Sequence, residues 1–159
     1  MTIEDVAARA GVSKTTIYRR YRTKFALVAG SATESQQFQR AQLDTGSFRG
    51  DLTAITDMGV SQIHSMWGRV IPSILAEAAD DPEIAEGVRG FFAWRREAVS
   101  AMVRRGIERG EVRNGTDPEI VFDLMTGPLL SRLMLSGEPL DQAFIERLVE
   151  GVIRGVEAG

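Results

Sequence analysis

The sequence predicts an all-α fold, a helix-turn-helix DNA-binding head followed by a helical body, and three observations carry that prediction. Residues 2 to 24, TIEDVAARAGVSKTTIYRRYRTK, read as two short helices joined by a tight turn, with the basic residues on the second. Beyond them the apolar residues recur at helical spacing, and the signal Asp-Pro-Glu opens a helix twice, at Asp81 and at Asp117. No alternation of strands and helices follows.

In the head, Thr2 caps a first helix, Asp5 completes a capping box, and Ile3, Val6, Ala7 and Ala10 form its apolar face. Gly11 stops that helix, because glycine tolerates the positive φ of a helix C-terminus, and Ser13 caps the next at once. Val12 and Ile17 occupy the two positions of a hydrophobic staple around Ser13, which sets one helix against the other. Lys14, Thr15, Tyr18, Arg19 and Arg22 then share one outward face that is basic and hydroxylated, with Thr16 beside it. Such a face suits a recognition helix, whose N-terminal residues meet base edges in the major groove while Arg, Lys and Tyr hold phosphates. Thr23 caps a third helix and places Lys24 at its first position, where the macrodipole disfavours a cation. A DNA phosphate at that helix start would reverse the penalty; the alternative is a solvated lysine.

The segment IEDVAARAGVSKTTIYRRYRTKFALV resembles the head of the tetracycline-repressor (TetR) family of bacterial transcriptional regulators. By position, the resemblance implies base reading by Lys14, Thr15 and Thr16, phosphate contacts by Tyr18, Arg20 and Lys24, a position of variable role for Arg19, and a backbone contact for Thr2. TIEDVAARAGVSKTTI is also similar to the head of the lactose-repressor family, but that family continues with a serine-arginine-valine pattern, a hinge and a sugar-binding domain of strands and helices. Here Tyr18 to Lys24 leads into helical sequence. Two departures from the TetR pattern stand out. Phe25 occupies a position that is usually acidic, and the chain opens at the family's second helix, so Ile3, Val6 and Ile17 are expected to lack a cover. Either more sequence precedes Met1 or the head is incomplete. An incomplete head would make the chain a helical, dimeric small-molecule-binding protein that does not read DNA.

Charge distribution fits a DNA-binding tip. The chain of 159 residues has a net charge of −3, yet residues 1 to 24 hold six Lys or Arg against two acids, a net +4, and the remainder holds 13 against 20, a net −7. A basic tip on an acidic trunk orients the molecule on a polyanion. With 43% hydrophobic residues the chain can bury a core. No apolar run approaches the roughly 20 residues of a membrane helix, and no signal peptide opens the chain, so a cytoplasmic protein without membrane partners is expected. The absence of cysteine excludes disulfides and cysteine-based metal sites.

Two domains are expected, residues 1–45 for the head with a polar connecting helix from Lys24 to about Leu43, and residues 46–159 for the body. Gly46, Ser47 and Gly50 mark a loop, after which Asp51 is read as the cap of a helix through Leu52, Ile55, Gly59 and Ile63 that ends near Met66, Trp67 and Gly68. A short helix covers Ile71 to Ala79. The helix opened at Asp81 runs to about Gly106 or Gly110, and the one opened at Asp117 is expected to kink at Gly127-Pro128. Asp141 caps the last helix, whose stripe Phe144, Ile145, Leu148, Val149, Val152, Ile153 and Val156 needs a cover.

In the TetR family the last two helices pair with their copies in a second subunit. The resemblance therefore implies a homodimer through Leu129, Leu133, Phe144, Ile145, Leu148, Val149 and Val152, with burial inside one subunit as the alternative. Two heads about one helical turn of DNA apart, roughly 34 Å, would read a palindrome. The resemblance also implies a small-molecule effector. Met58, Gln62, Met66, Trp67, Phe91, Phe92, Trp94, Arg95 and Met102 are the pocket candidates, combining adaptable and aromatic surface with a few polar groups, although each is also an ordinary core residue by type. Arg95 and Arg96 are alternatively expected to pair with Glu97 or other surface acids. His64, the one histidine, lacks the partners of a metal site or a nucleophile and reads as solvated or core. No cofactor is implied, and the missing P-loop and G-x-S-x-G patterns leave no case for an enzyme.

Changing Lys24 to alanine should weaken binding to every duplex alike and reduce the salt slope by about one unit, as expected for one lost phosphate contact. Substituting Lys14 or Thr15 should instead change sequence preference. Salt titrations on specific and scrambled duplexes measure both, and an equal loss on all sequences from all three changes would refute the assignment.

Overall fold

The computed structural model describes residues 44–157. The head residues Thr2, Lys14, Thr15, Thr16, Tyr18, Arg19, Arg20 and Lys24, and the connecting helix, lie outside the described residues, as do the side chains of Met66 and Trp67. Five α-helices make up the body: α1 (Phe48–His64), α2 (Met66–Glu77), α3 (Pro82–Glu108), α4 (Pro118–Ser131) and α5 (Gln142–Val156). No helix among the described residues is long and apolar enough to cross a membrane.

Three starts follow the sequence signals. Asp81 accepts from Glu83 N at 2.8 Å and opens α3, Asp117 accepts from Glu119 N at 2.9 Å and opens α4, and Asp141 accepts from Phe144 N at 2.8 Å and opens α5. The start of α1 differs. Its cap is Ser47, whose hydroxyl accepts from Gly50 N at 3.1 Å, and Asp51 sits inside the first turn with none of its surface exposed. There its carboxylate takes Thr45 N at 2.6 Å, Thr45 Oγ1 at 2.8 Å and the Arg105 guanidinium of α3 at 2.8 Å. Asp51 is thus a buried tie, favoured also by the positive end of the helix. Beside it Asp44 bonds Arg109 at 2.6 Å, and this guanidinium holds the Asp44 carboxyl below the ordinary range.

The boundary between α1 and α2 also falls earlier than periodicity suggests. A break at Ser65 ends α1, and Met66 to Gly68 open α2. Gly68 explains why: a Cβ there would lie 1.7 Å from the Ile63 carbonyl oxygen, so the two helices meet at a contact only glycine permits. In α4 the helix continues through Pro128 to Ser131. The irregularity comes later, as one π-helical turn over Arg132–Ser136 that closes where Gly137, at φ 67°, donates its N–H to Arg132 O at 3.0 Å.

The main core joins α1, α3, α4 and α5 around Phe48, Leu52, Val99, Val103, Val121 and Val149. The apolar stripe of α5 supplies one wall of it, with Phe144, Ile145, Val149, Val152 and Val156 all buried. A smaller cluster around Ile74 and Ile84 attaches α2 to α3. At the far end, Gly106 lets α3 turn back. Its carbonyl accepts from Glu111 N and Val112 N, and a Cβ at Gly106 would lie 2.6 Å from Val112 Cγ2. The returning strand-like segment is held to α5 by Arg113 N donating to Val156 O at 2.8 Å, while Glu111 accepts the amide of Phe48 at the start of α1.

Removing the Asp51 carboxylate should cost about 3 kcal/mol, since it takes the nearest carboxylate from a partly buried guanidinium and two bonds from Thr45. Ser47→Ala should cost only about 1 kcal/mol, the worth of a cap. Urea unfolding of both variants checks the order, and a larger loss at Ser47 would contradict it.

Candidate ligand-binding cavity

A cavity of about 70 Å³ lies among α1, α2, α3 and α4. From α1 it is lined by Ile55, Thr56, Gly59, Gln62 and Ile63, and from α2 by Ile71. Phe91, Phe92 and Arg95 of α3 and Phe122, Met125, Thr126, Leu129 and Leu130 of α4 complete it. The residues share it for reasons of register. Gln62 lies three and seven residues beyond Gly59 and Ile55, so one face of α1 carries all three, and Phe91 and Arg95 are one turn apart on α3. Gly59 keeps α1 close to α4, since a Cβ there would stand 3.2 Å from Leu129 Cδ1. The space exceeds the 10–15 Å³ that one water needs, and its wall is mostly apolar.

Arg95 is the exception in that wall. It is only 9% exposed, its Nη2 donates to Gln62 Oε1, and its Nη1 has no hydrogen-bond partner among the described residues. Aromatic faces surround the guanidinium, with Phe91 4.2 Å, Trp94 4.9 Å and Phe92 5.8 Å from it to the ring centroids. These contacts attract a cation, but they do not replace its lost hydration, and burial pushes the group down to about 10. Arg95 pairs with no carboxylate among the described residues, against the alternative expectation. Arg96, its neighbour, does pair, with Glu119 at 3.1 Å, and covers the Phe122 ring at 4.7 Å. His64 stands exposed at the end of α1.

Of the pocket candidates, Gln62, Phe91, Phe92 and Arg95 line the cavity, and Trp94 stacks on Arg95 from outside the lining. Met102 belongs to the core at 2% exposure and Met58 packs against that core. The contribution of α4 is the part that sequence reasoning missed. Phe122, Met125 and Leu129 are spaced for a buried helix face, and nothing local tells whether such a face meets a solid core or a hollow one.

The expected dimer residues are also redistributed. Phe144, Ile145, Val149 and Val152 are buried within the chain, Leu129 is buried and lines the cavity, and Leu133 and Leu148 are half-buried. The stripe of α5 is thus already covered by α1 and α4. Large apolar side chains left in the open are instead Ile120 and Leu124 on the outer face of α4, and Met134 and Leu135 in the π-helical turn, with exposures of 55%, 45%, 45% and 83%.

Comparison with known proteins gives this architecture its class. Residues 42–152 match the family described as "Tetracyclin repressor-like, C-terminal domain", and residues 1–30 match "Bacterial regulatory proteins, tetR family". The chain therefore belongs to the TetR family of DNA-binding transcriptional regulators. It is 31% identical to the uncharacterized HTH-type transcriptional regulator YdeS of Bacillus subtilis, over 99% of this chain and 80% of that protein. It is 32% identical to the DNA-binding transcriptional repressor TetR of Mycobacteroides abscessus, over 96% of this chain and 80% of that one. The crystal structure of the TetR-family regulator SCO0332 superposes with a TM-score of 0.77 at 31% identity, covering 98% of this chain and 86% of its own. These relatives are transcription regulators, not enzymes.

Proposed function

We propose that this protein is a ligand-responsive repressor that binds a palindromic operator as a homodimer, with residues 1–45 as its DNA-binding unit and residues 46–159 as its effector-binding and dimerising unit. The observation that carries the reading is the division of labour on α4. Its inner face, Phe122, Met125 and Leu129, walls the cavity, and its outer face leaves Ile120 and Leu124 exposed to about half their surface. A helix that touches an internal site on one side and a partner on the other is placed to pass a ligand's effect to the spacing of two heads. The repressor relative from M. abscessus supports the sign of regulation. Lys14, Thr15 and Thr16 are assigned to bases, Thr2, Tyr18, Arg20 and Lys24 to the backbone, and Arg19 to the DNA interface without a fixed role.

The dimer seam is assigned to the exposed row on α4 and the π-helical turn, Ile120, Leu124, Met134 and Leu135, in place of the buried stripe of α5. Exposed apolar side chains in one row need a cover in water.

Selection of binding sites from random duplexes is the direct test. A palindrome with half-sites about one helical turn apart is expected, and an asymmetric site or none would overturn the dimeric reading. Leu124→Glu and Leu135→Glu should give a folded monomer whose affinity for the palindrome falls at least tenfold, whereas Val149→Glu should unfold the chain. Sedimentation and circular dichroism separate the two results.

A further inference from the structure

The effector reading can be taken to a chemical class, and the class rests on that reading of the cavity. We propose that the cavity takes a small monocarboxylate with an apolar body, its carboxylate held by the Arg95 guanidinium. A full positive charge lies in a mostly apolar wall at 9% exposure, with no acid paired to it and no hydrogen-bond partner for Nη1 among the described residues. Burying a charge without a counter-charge is costly, and proteins rarely leave one so unless something else completes it.

The neighbouring polar groups narrow the choice. Gln62 already commits its Oε1 to Arg95 Nη2, which leaves its NH2 as a donor. Thr56 donates its hydroxyl hydrogen to Leu52 O at 2.7 Å, within its own helix. Thr126, the remaining polar residue of the lining, carries a hydroxyl that can also donate. The site therefore offers donors from Arg95, Gln62 and Thr126, and a ligand that only accepts matches it. An ionised carboxylate is acceptor-only, binds a guanidinium with charge-assisted bonds and carries a single charge. A phosphate monoester brings close to two charges, and the second would find no cation, because Arg96 lies outside the lining and is paired with Glu119. A cationic ligand would meet like charge. The rest of the molecule would rest against Ile55, Phe92, Phe122 and Met125.

Calorimetric titration of the full-length chain at pH 7.5 with hexanoate and hexanamide, and with benzoate and benzamide, tests the proposal, since each pair shares its shape and differs in charge. At least tenfold tighter binding of one carboxylate than of its amide is expected. Arg95→Met should abolish that preference while melting no lower than the unaltered protein, because the change removes a buried unpaired charge and keeps the apolar stem. No saturable binding of either carboxylate, equal affinity within both pairs, or an undiminished preference in R95M would each overturn it. DNA affinity, read by anisotropy on a selected duplex, keeps the two readings apart. If hexanoate or benzoate binds through Arg95 and leaves DNA affinity unchanged, the ligand-responsive reading fails and the carboxylate site stands. If an amide releases DNA as well as its acid does, the site's class fails and the responsive reading stands.

Discussion

The body is organised around the tie between Asp51 and Arg105. It fastens the first turn of α1 to the last third of α3 at 2.8 Å, and the same carboxylate takes both the amide and the hydroxyl of Thr45, just ahead of the helix. A buried carboxylate with three donors has little freedom to move, so the segment at residues 44 and 45 is fixed relative to α3. Arg109, one turn further along α3, repeats the contact with Asp44. The family matches meet near this point, the head's ending at residue 30 and the body's beginning at residue 42. Whatever displaces α3 along its axis must therefore act on the root of the segment that leads to the head. Arg95 stands ten residues before Arg105 on that same helix, so the proposed ligand anchor and the ionic tie are carried by one rigid element.

That arrangement gives the cavity two outputs. Along α3 it reaches the ionic tie; across α4 it reaches the exposed row proposed as the seam. The Arg96–Glu119 pair and the stacking of Arg96 on Phe122 couple the start of α4 to the middle of α3, next to Arg95. An exposed ion pair contributes little to stability. Its geometric role is larger, because Glu119 sits in the first turn of α4 and Asp117 caps that turn, which ties the helix's start to the residue beside the ligand anchor. In the dimer proposed above, movement of the cavity wall is movement of the seam.

Much of the fold was legible because its signals are local. An aspartate followed by proline opens α3 and α4 wherever the chain goes next, since the cap is satisfied by amides two or three residues on. Asp51 was misread for the same reason: after glycine and serine it looks like a cap, and what makes it a buried tie is an arginine 54 positions away. The apolar stripe of α5 was visible as something to be covered, but periodicity reports burial and is silent on who provides it. Two helices of the same chain, α1 and α4, turned out to do so, which moves the candidate seam to exposed side chains elsewhere. The cavity shows the same limit. Gln62, Phe91, Phe92 and Arg95 were recognisable as a polar and aromatic cluster, while nothing singled out Phe122 and Met125 as its wall, because a hollow is a property of packing across helices.

The glycines at the helix contacts explain how a hollow is tolerated at all. Gly68 allows α2 to start against the backbone carbonyl of Ile63, and Gly106 allows α3 to end against the side chains of Val112 and Phe48, two contacts too tight for a Cβ. Between these two contacts Gly59 brings α1 near Leu129, which sets the helix separation while leaving the volume opposite unfilled. Apolar hollows persist in proteins because the surrounding structure relaxes only partially. Arg95 adds a charge to this wall at 9% exposure, and closing the space further would offer its Nη1 no hydrogen-bond partner among the described residues. In the complex proposed above, the guanidinium that these helix contacts leave in the wall is the group that would select the ligand.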